Sequence, residues 1–249
     1  VYVKLITKTI GVGEEFEGRS LDEIVVGQAR VSTKKEGDKL FDKPEILLRH
    51  LILNSHWSPF DLINLGFEIK TSRAIGREIL RHWSIHPTEH SQRYSESLNF
   101  EDIELRIQSE DNRQSSIHPM KNNFLDSMVK HTLTEIASTY TALLSNGTAR
   151  ETARFILPET TSTKLFMNGT LRSWITFLNV RLHKTAQKEI RDIAELIKDE
   201  LIIQCPIICN SLYNFDNGYN IHILDRLILE KYGVYEAVIW KELNSPLTT

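Results

Sequence analysis

"LRHWSIHPTEHSQRYSE", residues 80–96, decides how this chain is read. It gathers three histidines, two arginines, two glutamates, three serines and a tyrosine into one polar run. Three chemistries compete for it: a metal site, an anion cradle and a solvated loop. "HPTEH" matches H-x-x-E-H through His86, Glu89 and His90. A zinc peptidase needs both imidazoles one turn apart on a helix, with a third ligand elsewhere. Pro87 follows the first histidine directly, and "TEHSQRYSES" carries no apolar stripe to seat such a helix. No metal site is expected.

The anion reading fares better. Just upstream, "TSRAIGREILRHW" reads as a helix capped by Ser72, with Ile75 and Ile79 facing inward. Arg73, Arg77 and Arg81 recur every four residues and share one face. The helix leads into Ser91, Gln92, Arg93 and Tyr94, a loop whose hydroxyls, guanidinium and main-chain N–H groups suit a phosphate. Glu89 suits a ribose hydroxyl or the positioning of an arginine. Further along, Arg150 and Arg154 lie one helical turn apart, and Arg172 and Arg181 punctuate the apolar "LRSWITFLNVR". Arginines there are costly unless each finds an anionic or polar partner.

The whole chain bounds the answer. It has 249 residues, 41% hydrophobic and 25% charged, with net charge -3. Those are ordinary globular values. They give no global basic field to draw nucleic acid, so any anion site is local. The two cysteines, Cys205 and Cys209, are spaced C-x3-C with no second pair, and read as buried reduced thiols. No apolar run spans a bilayer and no targeting pattern appears. A cytoplasmic protein with no membrane partner is expected.

Without repeats or linkers, a single α+β domain over residues 1–249 is expected, mostly helical around an antiparallel or mixed sheet. "VYVKLITKT" puts Val1, Val3 and Leu5 on one strand face, and "INLGFEIK" does the same with Ile63, Leu65, Phe67 and Ile69. Ser20 and Glu23 form a capping box, and Pro44 suits a first helical position. "IELRIQ" is a short strand. A long helix over 119–145 would bury Phe124, Met128, Ile136, Tyr140 and Leu144. Thr148 and Glu151 predict a second capping box, before a helix stopped by Pro158. Residues 169–201 supply one helix or two, the later part with Ala186, Ile190, Ile193, Ile197 and Leu201 inward. "IHILDRLILEKYG" predicts a short helix in the tail, 210–249, which has no assigned role.

The set resembles the flavin-dependent thymidylate synthases (ThyX). Their signature is Arg-His-Arg, seven residues, then Ser. Arg81, His82 and Ser91 match it, and Trp83 departs. "ARVS" (29–32), "HWSPF" (56–60), "SQRY" (91–94), "ARFILP" (153–158), "LRSWITFLNVR" (171–181) and "AQKEIRDIA" (186–194) also resemble family segments, in family order, over about residues 20–205. The resemblance implies a homotetramer with active sites between subunits. It implies conversion of dUMP to dTMP with methylenetetrahydrofolate as carbon donor, FAD as hydride carrier and NADPH as electron source. It implies nucleotide phosphate contacts at Ser91, Arg93 and Arg154, with Glu78, Glu89, His90 and Gln92 completing the nucleotide set. Arg81 is shared between nucleotide and flavin. Arg181 is the implied catalytic residue, stabilising negative charge at N3 of the pyrimidine and its neighbouring carbonyl. His82, Ser58, Glu89 and Arg172 match flavin contacts, while His56 and Tyr94 fall in the flavin or folate vicinity.

Four positions depart from the family pattern. Trp83 replaces an arginine, removing a cation and adding a plane that can stack. Glu78 stands where glutamine is usual, and is expected to need compensation by Arg77 or Arg81. Thr170 and Thr176 stand where larger amide or imidazole side chains contact flavin. These changes keep open a same-scaffold enzyme that methylates or hydroxymethylates another pyrimidine nucleotide, such as dCMP or UMP, and a non-catalytic nucleotide-binding relative.

Overall fold

The structure is a computed structural model that describes residues 1–96 and 98–213, without the Tyr213 side chain. The chain groups into two compact units, Val1–Lys8 with Asn64–Glu200, and Thr9–Ile63 with Leu201 onward. The tail helix expected at "IHILDRLILEKYG" lies outside the described residues.

The first unit is built on strands β1 (Tyr2–Lys8), β2 (Asn64–Ser72), β3 (Ile85–Glu89) and β6 (Ser162–Thr170). They form one antiparallel sheet in the order β1-β2-β6-β3. A small hairpin pairs β4 (Arg106–Gln108) with β5 (Ser116–Pro119). Around these lie α3 (Arg73–Leu80), α4 (Asn123–Ser145), α5 (Arg150–Ala153), α6 (Leu171–Arg181) and α7 (Lys188–Gln204), the last crossing the unit boundary.

Register explains the core. Across β2 and β6, Leu65 faces Gly169, Phe67 faces Met167, Ile69 faces Leu165 and Thr71 faces Thr163. Period-two alternation therefore puts one apolar face of both strands under α3 and α6. Trp174 is fully buried there, edge-on to Phe67 and Phe177 at centroid distances of 4.8 and 5.7 Å. Each such pair contributes about 0.5–1.5 kcal/mol beyond burial. The indole N–H donates to the Leu65 carbonyl at 3.0 Å, so the ring buries no unmet donor. Gly169 makes room for Ile85 on the neighbouring strand: a Cβ would stand 3.1 Å from Ile85 Cγ1.

Both central strands run straight into helices. Ser72 ends β2 and caps α3, accepting from the Ile75 N–H, and Thr170 ends β6 and caps α6, accepting from the Ser173 N–H. Strand pairing thus sets where α3 and α6 begin.

The second unit packs α1 (Leu21–Ala29), α2 (Pro44–Leu53), a 3-10 turn over Ser58–Leu62, and α8 (Pro206–Tyr213). The Ser20–Glu23 capping box and Pro44 at the start of α2 are as expected. Asp22 is buried, and its two carboxylate oxygens accept from the Ile207 and Ile208 N–H groups at 3.1 and 2.9 Å. It caps α8 from another helix. Desolvation pushes its pKa up to about 6, against the two main-chain bonds. Cys205 and Cys209 are free and buried, and the Cys205 thiol is pushed up through its bond to Cys209 and by burial.

Two expectations are corrected. α4 starts at Asn123, and of its expected core stripe only Tyr140 is buried; Phe124 and Met128 are exposed and Ile136 and Leu144 half-buried, because nothing in this chain covers that side among the described residues. The box at Thr148–Glu151 does not form. Ala149 occupies the cap position with no side-chain bond, and only one turn of helix follows before a 3-10 turn over Arg154–Ile156. "HPTEH" is β3, so the helical imidazole pair required by the zinc peptidase pattern is not built.

Candidate active site

The arginines of α3 face two adjoining clefts in the first unit. One, of about 360 Å³, is lined by Arg73, Arg77, Gln92, Arg154, Phe155, Leu157, Pro158 and Glu159. The other, of about 510 Å³, is lined by Ala74, Arg77, Glu78, Arg81, Gln114, Glu159 and Arg181. Arg77 and Glu159 belong to both and are ion-paired to each other. The four-residue spacing of Arg73, Arg77 and Arg81 therefore does place one face of a helix along a continuous basic wall.

Within the first cleft, Gln92 is buried and its amide nitrogen has no hydrogen-bond partner. An unmet buried donor costs about 1–3 kcal/mol, and a ligand oxygen would relieve it. Arg154 is steered by one bond, from its Nε–H to the Glu151 carbonyl at 3.3 Å. The Glu151 carboxylate in turn pairs with Arg93 at 3.3 Å. Ser91 sits on the same turn, its hydroxyl accepting from the Arg93 N–H. His90 bonds through Nε2 to the Ser95 hydroxyl at 2.9 Å. Glu89 pairs with Arg73 at 3.4 Å and accepts from the Thr163 hydroxyl at 2.8 Å.

In the second cleft, Glu78 is compensated, but not by the arginines expected. Arg77 is taken by Glu159, and Arg81 makes no ion pair among the described residues. The partner is Arg181, which reaches from the end of α6. One terminal nitrogen pairs with the Glu78 carboxylate, the other donates to the Glu78 carbonyl at 3.0 Å, and Nε is buried without a partner. Helix spacing alone does not reveal a pair 103 residues apart.

The residues assigned to flavin are less gathered. His82 is buried against Phe177, bonded to Ser84 at 3.1 Å and to the Ser173 main chain. Burial, with the positive charge of Arg181 acting the same way, lowers its pKa, so the ring is neutral near pH 7. Trp83, beside it, is 87% exposed. Arg172 and Thr176 are exposed, four residues apart on one face of α6, while Thr170 is spent on capping. Ser58 and His56 are exposed in the second unit, His56 at 5.9 Å from the His50 ring. Tyr94 is 86% exposed. Reasoning from sequence passed over Glu159, Gln114 and Phe155. The run from Phe155 to Glu159, just after "AR", was the available signal for the first and last of these.

Fold and clefts together define a mixed α/β protein with two adjoining, arginine-lined clefts. Comparison with known proteins narrows this. Residues 19–207 match the family model described as thymidylate synthase complementing protein. The chain is 33% identical over 214 residues to a probable flavin-dependent thymidylate synthase of Paramecium bursaria Chlorella virus 1, covering 84% of this chain and 97% of that one. It is 34% identical over 199 residues to the flavin-dependent thymidylate synthase of Synechocystis sp., covering 79% and 91%. Among solved structures it is similar to a UMP/dUMP methylase, PolB, from Streptomyces cacaoi bound with 5-Br dUMP, with TM-score 0.72 and 23% identity over 85% of this chain and 93% of that one. The chain belongs to the flavin-dependent thymidylate synthase family.

Proposed function

We propose that this chain is a flavin-dependent thymidylate synthase that methylates dUMP at C5, with methylenetetrahydrofolate as carbon donor and NADPH as reductant, acting as a homotetramer. One observation carries the reading: two adjoining clefts share a wall of guanidinium groups, and a buried amide donor in one of them is unmet. In this reading the nucleotide phosphate is held by Arg154, Arg73 and Gln92, with Ser91 and Arg93 on the neighbouring turn. The pyrimidine reaches Arg181, whose flat, permanently charged fork suits negative charge developing across N3 and the adjacent carbonyl.

The residues also fit a flavin dinucleotide. Arg81 holds no counter-ion among the described residues, Trp83 offers a free indole plane, and Arg172 and Thr176 present one exposed helical face. FAD, when bound, supplies hydride transfer. The chain's own task is to hold three ligands in register. A route through a cysteine nucleophile is not supported, because both thiols are buried and that of Cys205 is held protonated.

Purified, reconstituted protein is expected to be yellow and to convert dUMP to dTMP with folate and NADPH. Arg181→Ala is expected to abolish turnover while flavin content and oligomer size persist. Absence of bound flavin after anaerobic reconstitution, or near-normal turnover in that variant, would refute the assignment. UMP is the second substrate to assay, because Glu78 stands in the cleft in place of the usual glutamine.

A further inference from the structure

Arg181 does not meet the second cleft as a free cation. Glu78 holds it twice, by the carboxylate on one terminal nitrogen and by the main-chain carbonyl on the other. Both side chains are mostly shielded from water, with 16% of Arg181 and 26% of Glu78 exposed. Shielding of that degree keeps their charges coupled. The other charged or titratable groups around the pair are Arg77 and Arg81 on α3, His82 just after it, and Glu159 before β6. Of these, Arg77 and Glu159 neutralise each other and His82 is held neutral by burial and by Arg181.

We propose that Glu78 is a positioning and specificity residue, aiming the Arg181 guanidinium and turning a donor-only cation into a near-neutral donor–acceptor pair at the edge of the pyrimidine. This rests on the reading of Arg181 given above. The chemistry that matches such a pair is a ring that keeps its N3 proton: the carboxylate accepts N–H and the guanidinium donates to the carbonyl. A lone guanidinium would instead reward a ring that has lost that proton. Glu78 therefore favours the neutral imide form of a uracil nucleotide when it binds, while Arg181 keeps its donors on the carbonyl where charge develops in the reaction.

The two contacts make the pair separable by mutation. Glu78→Gln keeps both acceptors, amide oxygen and main-chain carbonyl, and removes only the charge. Glu78→Ala removes the charge and the side-chain acceptor.

The test uses the flavin-loaded enzyme, with calorimetric titration of dUMP and of 5-bromo-dUMP, whose halogen makes N3–H more acidic. In the wild type, the preference for 5-bromo-dUMP is expected to change less between about pH 6.5 and about pH 8.5 than in Glu78→Gln, because Glu78 offsets Arg181 and leaves Arg81 as the one uncompensated cation of the cleft among the described residues. In Glu78→Gln it is expected to rise about 3-fold over the same range, since Arg181 and Arg81 then both face an anionic ring uncompensated. Turnover gives the second reading. Glu78→Ala is expected to lose about 10-fold more kcat than Glu78→Gln, with KM for dUMP similar in the two, because only the alanine variant loses the side-chain half of the two-point hold on Arg181.

An identical pH profile in wild type and Glu78→Gln overturns the specificity role, and equal kcat in the two variants overturns the positioning role. Both of those results leave the enzyme assignment intact. Failure of the wild type to bind either nucleotide overturns the assignment itself, and this inference with it.

Discussion

Asp22→Asn isolates the one buried carboxylate whose energetics the structure quantifies. Asp22 is 1% exposed, caps α8 with both oxygens and has its pKa raised from 3.8 to about 6. Because the folded value lies above the unfolded one, the folded state binds the proton more tightly. The group's contribution to stability is then complete below about pH 4 and is lost as pH rises through about 6. At about 1.36 kcal/mol per pH unit, the full loss is about 3 kcal/mol. Asparagine keeps an oxygen acceptor for the cap and cannot ionise. Its own cost, a second amide donor in a tight site and the loss of one main-chain bond, does not vary with pH. The difference in unfolding free energy between variant and wild type should therefore shift by about 2.5 kcal/mol in the variant's favour between about pH 4 and about pH 7. Urea unfolding at four or five pH values, read by linear extrapolation, measures it. Other titrating groups cancel in the difference. Parallel curves for the two proteins would show that Asp22 does not titrate in that window and that the desolvation argument is wrong.

Three further outcomes follow from the same geometry. Arg154→Ala should raise KM for dUMP about 10- to 100-fold, the loss of one charge-assisted bond worth about 1.5–3 kcal/mol, with little change in kcat; steady-state kinetics decide, and an unchanged KM removes Arg154 from the nucleotide site. Trp83→Ala should leave stability within about 0.5 kcal/mol, as for an exposed side chain, while weakening flavin retention on gel filtration; a large fall in Tm with flavin kept would mean that the indole serves packing. Trp174→Phe should cost about 1–3 kcal/mol by chemical unfolding, since it removes the indole bond to the Leu65 carbonyl and part of a fully buried ring; a neutral result would refute the role given to that side chain.

Legibility differed between local and long-range features. β2 was plain from Leu65, Phe67 and Ile69, and the cap at Ser72 and the inward pair Ile75 and Ile79 followed from helical period alone. β6 escaped, although Thr163, Leu165 and Met167 alternate, because polar threonine, lysine and asparagine dilute a strand that leaves one face to solvent. The box at Thr148 failed for a physical reason: the helix begins one residue later than the pattern implies, with Ala149 at the cap, so Thr148 lies before it and Glu151 is the second helical residue instead of the third. At the site, the arginine face of α3 was legible because period and charge coincide there. The Glu78–Arg181 pair was not, since partner choice depends on how two helices meet over a sheet. Arg77, the nearer candidate, had already been claimed by Glu159.

The loopless passage from β2 into α3 and from β6 into α6 makes this protein intolerant of length changes where it tolerates replacements. Threonine stands for larger side chains at positions 170 and 176 and glutamate for glutamine at 78 within the same framework. One residue added after Ser72, by contrast, would turn every arginine on α3 by about 100°, away from Gln92 and Arg154. Substitutions are therefore expected to change which groups line the clefts without moving them, while a residue gained or lost at either junction would move them.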